Sequence, residues 1–238
     1  MDGRHIAIMQ PYFFPYVGYW QLLAMADVFV VYDDGLFRKK GWIHHNRILG
    51  YDGKSAMPIA IPIRDMSCNR RINETERIYD PEQVAKMLKG MEIRYRRAPH
   101  CAAVMELVRT LMGNPETNVA KFLTDCLRGV MGYLGIDTPI VISSTIDKTG
   151  LDNVLDKAER ICKTVGILDY VNPSGGMEIY AQEDFRARGL TLQFLCRDPE
   201  LRYRQFGDGF VPDLSIIDVM MFNTPEEVGA LLRRYTLC

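Results

Sequence analysis

Short apolar runs and amphipathic stretches alternate along most of the chain. Residues 6–9 are all apolar, which predicts a strand buried on both faces, as in a parallel sheet. The prolines at 11 and 15 exclude a helix before Tyr16, and the spacing of Val17, Trp20, Leu23 and Ala26 predicts one immediately after. Residues 28–32 form a second continuous run, so the chain opens as a βαβ unit with parallel strands. Residues 42–49 and 56–63 flank an Asp52-Gly53 turn and predict a β-hairpin. From Asp80-Pro81 the apolar period changes to three and four residues, predicting helices over 82–97, 99–113 and 116–134. Strands at 139–143, 169–171 and 190–195 then alternate with helices at 151–165 and 183–188, and helices at 214–222 and 225–235 close the chain. No repeat or linker divides it. The expected fold is a single α/β domain over 1–238, Rossmann-like, with a largely parallel sheet, a β-hairpin and a helical layer inserted at about 81–135 that covers one side of the sheet.

Composition narrows the partners. With 29 basic and 30 acidic residues the chain is nearly neutral, so neither nucleic acid nor an anionic membrane surface is expected. The balance shifts locally, because residues 33–47 carry four bases against two acids, which suits an anionic ligand or a solvated loop. The six cysteines are scattered, at 68, 101, 126, 162, 196 and 238, and read as free thiols in a reducing compartment. No signal peptide and no apolar run of membrane-spanning length is legible, so the expectation is a soluble cytoplasmic protein without membrane insertion.

Candidate chemistry gathers at the ends of the first two strands, where ligands collect in βαβ units. Gln10, Tyr12, Tyr16 and Tyr19 lie in a loop rich in aromatics and prolines, suited to gripping a flat or sugar-like ring. Asp33 and Asp34 follow the second strand, where carboxylates can position an amine, hold a cation, act as a base, or cap a turn. His44 and His45 are general-base candidates because imidazole titrates near neutral pH. On one continuous strand they would point to opposite faces, so only one could reach the site. We expect Asp34 to pair with His45, with His44 as the alternative. Lys40 and Arg47 suit a phosphate or carboxylate, and Trp42 and Asn46 lie among them. Ser143 and Ser144 stand at another strand end as phosphate contacts or helix caps, and Gly175-Gly176 allows close backbone approach or a positive-φ turn. No metal spacing, Gly-rich phosphate loop, nucleophile elbow or Cys-His pairing is present, so no metal is expected and no cofactor is assigned.

Gln10-Pro-Tyr-Phe-Phe-Pro-Tyr-Val-Gly-Tyr, Val30-Val-Tyr-Asp-Asp, Lys40-Gly-Trp-Ile-His-His-Asn-Arg-Ile, Asn172-Pro-Ser-Gly-Gly and Leu214-Ser-Ile-Ile-Asp-Val-Met-Met-Phe-Asn together resemble the WbqC-like family, in order and from end to end. The resemblance implies a setting among genes for O-antigen and other surface polysaccharides, and carries over no catalytic residue. A weaker likeness places Pro15-Tyr-Val-Gly-Tyr where nucleotidyltransferases and pantothenate-synthetase-like ligases carry His-x-Gly-His, with tyrosines in place of the histidines. Tyrosine donates a hydrogen bond but supplies no cation to a phosphate. The expected function is acyl or aminoacyl transfer to a nucleotide-linked amino sugar, with a nucleotide sugar and an acyl donor as the small-molecule partners. The alternatives are a non-catalytic sugar- or nucleotide-binding protein and a nucleotidyltransferase-like ligase.

Overall fold

The computed structural model describes residues 3–207 and 209–238. Strand β1 (His5–Met9) leads through the aromatic loop into α1 (Val17–Met25) and then β2 (Val28–Val31). Helix α1 is buried from Val17 to Leu23 and apolar there except for Gln21, whose Nε2 donates to the Leu231 and Arg234 carbonyls. The hairpin strands β3 (His45–Leu49) and β4 (Ala56–Ala60) form a separate antiparallel sheet. Three helices follow: α2 (Pro81–Tyr95), α3 (Cys101–Met112) and α4 (Val119–Leu134). The α/β alternation resumes with β5 (Ile140–Ile142), α5 (Val154–Val165), β6 (Asp169–Pro173), α6 (Gln182–Arg186) and β7 (Thr191–Arg197). Helices α7 (Ile216–Phe222) and α8 (Pro225–Leu232) precede a last strand, β8 (Tyr235–Leu237).

The main sheet has the order β5-β2-β1-β6-β7-β8, parallel except for β8. Ile6 stands beside Val28 in the parallel β1–β2 pair, so the opening βαβ unit is as the hydrophobic runs predict. Side-chain alternation divides the core in two. Ile6, Val28 and Val30 point to the face covered by α5 and α6, where Ile161, Cys162 and Phe185 are buried. Ala7, Phe29 and Val31 point to the opposite face, into a larger core shared with α1, α4, α7, α8 and the hairpin. Each buried Leu, Ile or Phe contributes about 1.5–3 kcal/mol, and these two clusters hold the site's supporting strands rigid. The inserted helices share their side of the sheet with α1, which packs directly on β1 and β6, while α4 leans on α8.

Local chemistry sets the element ends. Asp80 accepts the Glu82 and Gln83 amides to start α2, and Asn153 accepts the Leu155 amide, so α5 begins at Val154 and not at 151. The segment expected to be helical to residue 235 stops at Leu232, and β8 pairs antiparallel with the edge of β7. That pairing brings Cys238 beside Cys196, and the two are joined as a disulfide, while Cys68, Cys101, Cys126 and Cys162 are free. The expectation of six free thiols is corrected at this edge. Among the described residues no helix is long and apolar enough to cross a membrane.

Candidate functional site

In the main sheet the chain moves from β1 outward through β2 to β5 on one side, and through β6 to β7 on the other. The crevice of a doubly wound sheet opens at such a reversal, outside the carboxyl ends of the two central strands. Here those ends carry Gln10 after β1, and Asn172, Pro173 and the 3₁₀ turn Ser174–Glu178 at the end of β6. Gly176 has no room for a side chain, since a Cβ would meet the Asn172 Oδ1 at 2.5 Å, whereas Gly175 is exposed in open space. Gly35 is constrained in the same way: a Cβ would lie 2.9 Å from the Tyr32 ring and 3.1 Å from the Gln10 Nε2. The backbone after β2 thus lies against Tyr32 and Gln10, and the Gln10 Nε2 donates to the Leu36 carbonyl at 3.4 Å.

The two adjacent carboxylates separate into two roles. Asp33 is buried and accepts the Ser144 amide at 2.8 Å and the Ser144 hydroxyl at 2.6 Å, with the Asn73 Nδ2 at 3.3 Å. It ties the end of β2 to the end of β5, and both polar groups of Ser144 are used in doing so. Asp34 points elsewhere. Its Oδ2 lies 3.2 Å from the Lys148 Nζ, with the two side chains 12% and 5% exposed respectively. Lys148 also donates to the carbonyls of Ser143 and Ile146. The Asp34 Oδ1 and the Ser143 Oγ are buried with no hydrogen-bond partner. Burial raises the Tyr32 phenol, the nearby Asp34 charge adds to it, Tyr180 does the same, and Arg71 opposes them. Tyr32, Asp34, Arg71, Lys148 and Tyr180 are therefore neighbours at the carboxyl edge. Lys148 is the member the sequence reading missed: it lies four residues beyond Ser144, and only the β2–β5 pairing brings it to Asp34.

The expected pairing of Asp34 with His45 does not form: the acid is held by Lys148, and neither histidine makes an ion pair among the described residues. Strand β3 starts at His45, and His44 belongs to the preceding turn, so strand alternation does not separate the two rings. They meet edge to face at 4.8 Å, with His44 against Phe37 and His45 against Trp42. Burial, and after it the charge of His45, lowers the His44 pKa below its ordinary 6.5, and its Nδ1 is buried without a partner. A folded form that resists a proton which the unfolded chain accepts loses stability as pH falls from 6.5 through the folded value. The melting temperature should accordingly drop less between pH 7 and pH 5.5 in His44→Gln than in the wild-type protein, by thermal unfolding at both pH values. Equal drops would mean that His44 titrates as it does in the unfolded chain.

The aromatic loop is stitched in place from both sides. The Asn46 Nδ2 donates to the carbonyls of Phe13 and Phe14, at 3.0 and 2.7 Å, and the Ser215 Oγ donates to the same Phe14 carbonyl at 2.7 Å. Phe14 itself sits at φ 43°, a left-handed conformation these bonds hold for a bulky residue. Asn46, buried, is thus a clamp on the loop, and Tyr19, 1% exposed, is a core residue whose hydroxyl donates to the Gln10 carbonyl. The helical register of α1 turns Tyr19 inward against Phe29 and Trp20, which counting hydroxyls in the motif does not reveal. Tyr12 and Tyr16 keep partly exposed surfaces, and the Tyr16 ring folds directly over Gly18, where a Cβ would meet it at 2.6 Å. Trp42 is exposed with the Arg47 guanidinium 5.4 Å from its ring centre, and Lys40 is exposed.

The residues that gather here lie in motifs far apart in the chain. The model of the WbqC-like protein family fits residues 10–230. The chain belongs to the WbqC-like family. The uncharacterized protein Rv1507c of Mycobacterium tuberculosis (strain ATCC 25618 / H37Rv) is 25% identical over 232 residues, covering 97% of this chain and 98% of that protein. No solved structure matches. The WbqC-like span runs from Gln10 at the end of β1 into α8, so it takes in the crevice, the hairpin and the inserted helices together.

Proposed function

We propose that this chain is a cytoplasmic enzyme of O-antigen or related surface-polysaccharide biosynthesis that transfers an acyl or aminoacyl group to the amine of a nucleotide-linked amino sugar. One observation carries the reading: at the carboxyl edge of the sheet, a carboxylate held by a nearly enclosed lysine side chain keeps one buried oxygen, the Asp34 Oδ1, without a donor. Buried acceptors are nearly always satisfied, and an amine is the donor that acyl transfer would bring. In this reading the acceptor amine donates to Asp34. Its nitrogen attacks the acyl carbonyl, the C–N bond forms, the donor's leaving group departs, and Asp34 takes the proton. Lys148 holds the carboxylate in place. Arg71, Lys40 and Arg47 are the cations available for the nucleotide's phosphates, and Trp42, Tyr12 and Tyr16 are the aromatic surfaces available for a ring.

The test is to incubate the purified protein with nucleotide-linked amino sugars and acyl or aminoacyl donors and to follow mass gain on the sugar. The expected result is a product heavier by the acyl group, formed by wild-type protein. His44→Gln and His45→Gln should keep most of that activity. Loss of turnover in either histidine variant, with Asp34→Asn still active, would move the base from the carboxylate to the imidazole.

A further inference from the structure

Between hairpin strand β4 and helix α2 runs a groove of about 520 Å³, within the size range of small-molecule sites. Its walls include Met57, Ile59, Ile61, Met87, Met91 and Met112. Four flexible thioethers in one lining suit a chain-like occupant, because methionine repacks around irregular shapes. At one end lies Arg94, in the last turn of α2 and 6% exposed. Its Nη2 has only the Met57 sulfur as acceptor, its guanidinium stacks 4.0 Å over Tyr51, and its Nε and Nη1 are buried with no partner. Among the described residues no acid pairs with it. A buried guanidinium cannot shed its proton, so such a group ordinarily has an anion beside it.

The other ionisable groups of the groove do not fill that role. Asp80 has its oxygens occupied by the Glu82 and Gln83 amides and the Gln83 side chain. Arg77 donates to the carbonyls of Glu116 and Asn114, and Lys86 is exposed at the rim. The free edge of β4 also argues against an added peptide strand. Gly50 donates to the Ser55 carbonyl and Ile61 to the His44 carbonyl, which turns residues 57, 59 and 61 toward β3 and 56, 58, 60 and 62 outward. Two of those four outward positions are Pro58 and Pro62, which have no amide hydrogen to offer.

We propose that this groove binds an aliphatic chain ending in a carboxylate, with the chain lying along α2 among the methionines and the carboxylate on Arg94. From Gln83 to Arg94 the helix rises about 16 Å, which gives the chain its run. The single charge of the head matches the Arg94 guanidinium, which among the described residues has neither an acid nor a carbonyl oxygen on it, and Met57 is the cover it displaces. This site is separate from the crevice and does not rest on the acyl-transfer reading.

The experiment is calorimetric titration of the full chain with dodecanoate, below its micelle concentration, against dodecan-1-ol as the uncharged probe. Wild-type protein should bind dodecanoate saturably at one site. Arg94→Met should weaken that binding by about tenfold or more, the loss expected for a charge-assisted contact. Without ligand, Arg94→Met should melt no lower than wild type, because it removes a buried charge that no acid among the described residues pairs. Gly90→Leu is the second probe: a Cβ there meets nothing within 4 Å, so the side chain can enter the groove without disturbing α2 and should block binding. Absence of saturable binding, equal affinity in all three proteins, equal affinity for the alcohol, or a clearly lower melting temperature for Arg94→Met would each overturn the proposal.

Discussion

Lys148→Met should lower the melting temperature sharply, and adding Asp34→Asn should restore most of it without restoring turnover. The lysine is nearly sealed from solvent and holds Asp34 and two backbone carbonyls at once. Removing one partner of a buried pair strands the other charge, which costs about 3–5 kcal/mol. For a chain of this size that corresponds to roughly 6–20 °C. The double variant carries no stranded charge, and replacing a whole buried pair by neutral groups is often close to neutral. The two orphaned carbonyls remain, so recovery should be incomplete. Turnover should behave differently. Asp34→Asn, alone or with Lys148→Met, removes the proposed base and should cost on the order of a hundredfold or more. Thermal unfolding of the three variants, with mass-detected turnover on the same preparations, separates the two effects. A double variant that regains activity along with stability would make the pair structural.

How far the sequence reveals this arrangement depends on the range of the interaction. The opening βαβ unit is legible because strands buried on both faces are written as continuous apolar runs, and the inserted helices are legible because a one-sided helix repeats every three and four residues. The hairpin is read three residues too long at its start, since Trp42 is apolar in sequence but sits in a turn, exposed and beside an arginine. Strand β8 is invisible because three residues carry no period and become a strand only on meeting the edge of β7. The Cys196–Cys238 disulfide is hidden for the same reason. At the site, the place of the acid pair is legible, since it follows a buried strand. Its division of labour is not: Asp33 is a clamp because the Ser144 amide, 111 residues away, points at it. Lys148 is likewise a product of topology and not of any local pattern.

Asp218→Leu should be the most damaging single change in the hairpin's support. Asp218 is wholly buried, yet it accepts hydrogen bonds from the Tyr95 hydroxyl at 2.6 Å, the Tyr203 hydroxyl at 2.6 Å and the Gln205 Nε2 at 2.9 Å. The Tyr95 oxygen in turn accepts the Leu49 amide at 3.0 Å, so α2, α7, the 203–205 segment and hairpin strand β3 meet on one carboxylate. Leucine would leave the Tyr95 and Tyr203 hydroxyls without an acceptor, while the Gln205 Nε2 keeps the Val211 carbonyl; at about 1–2 kcal/mol for each stranded hydroxyl the total is on the order of 2–4 kcal/mol. The melting temperature should then fall by roughly 4–16 °C, with the hairpin amides exchanging faster. Asp218→Asn keeps one acceptor oxygen and should lose less. The two substitutions also differ from wild type in pH response. Burial pushes the Asp218 carboxyl above the ordinary 3.8, against the pull of its three donors. A raised folded-state value means that the proton stabilises the fold: the contribution is complete below 3.8 and is lost as pH rises through the folded value. Neither variant titrates there, so the stability gap between wild type and Asp218→Asn should widen as pH falls toward 4 and narrow toward 7. A gap that instead grows with rising pH would mean that the donors outweigh burial, and that Asp218 sits in the fold as a carboxylate stabilised by its charge.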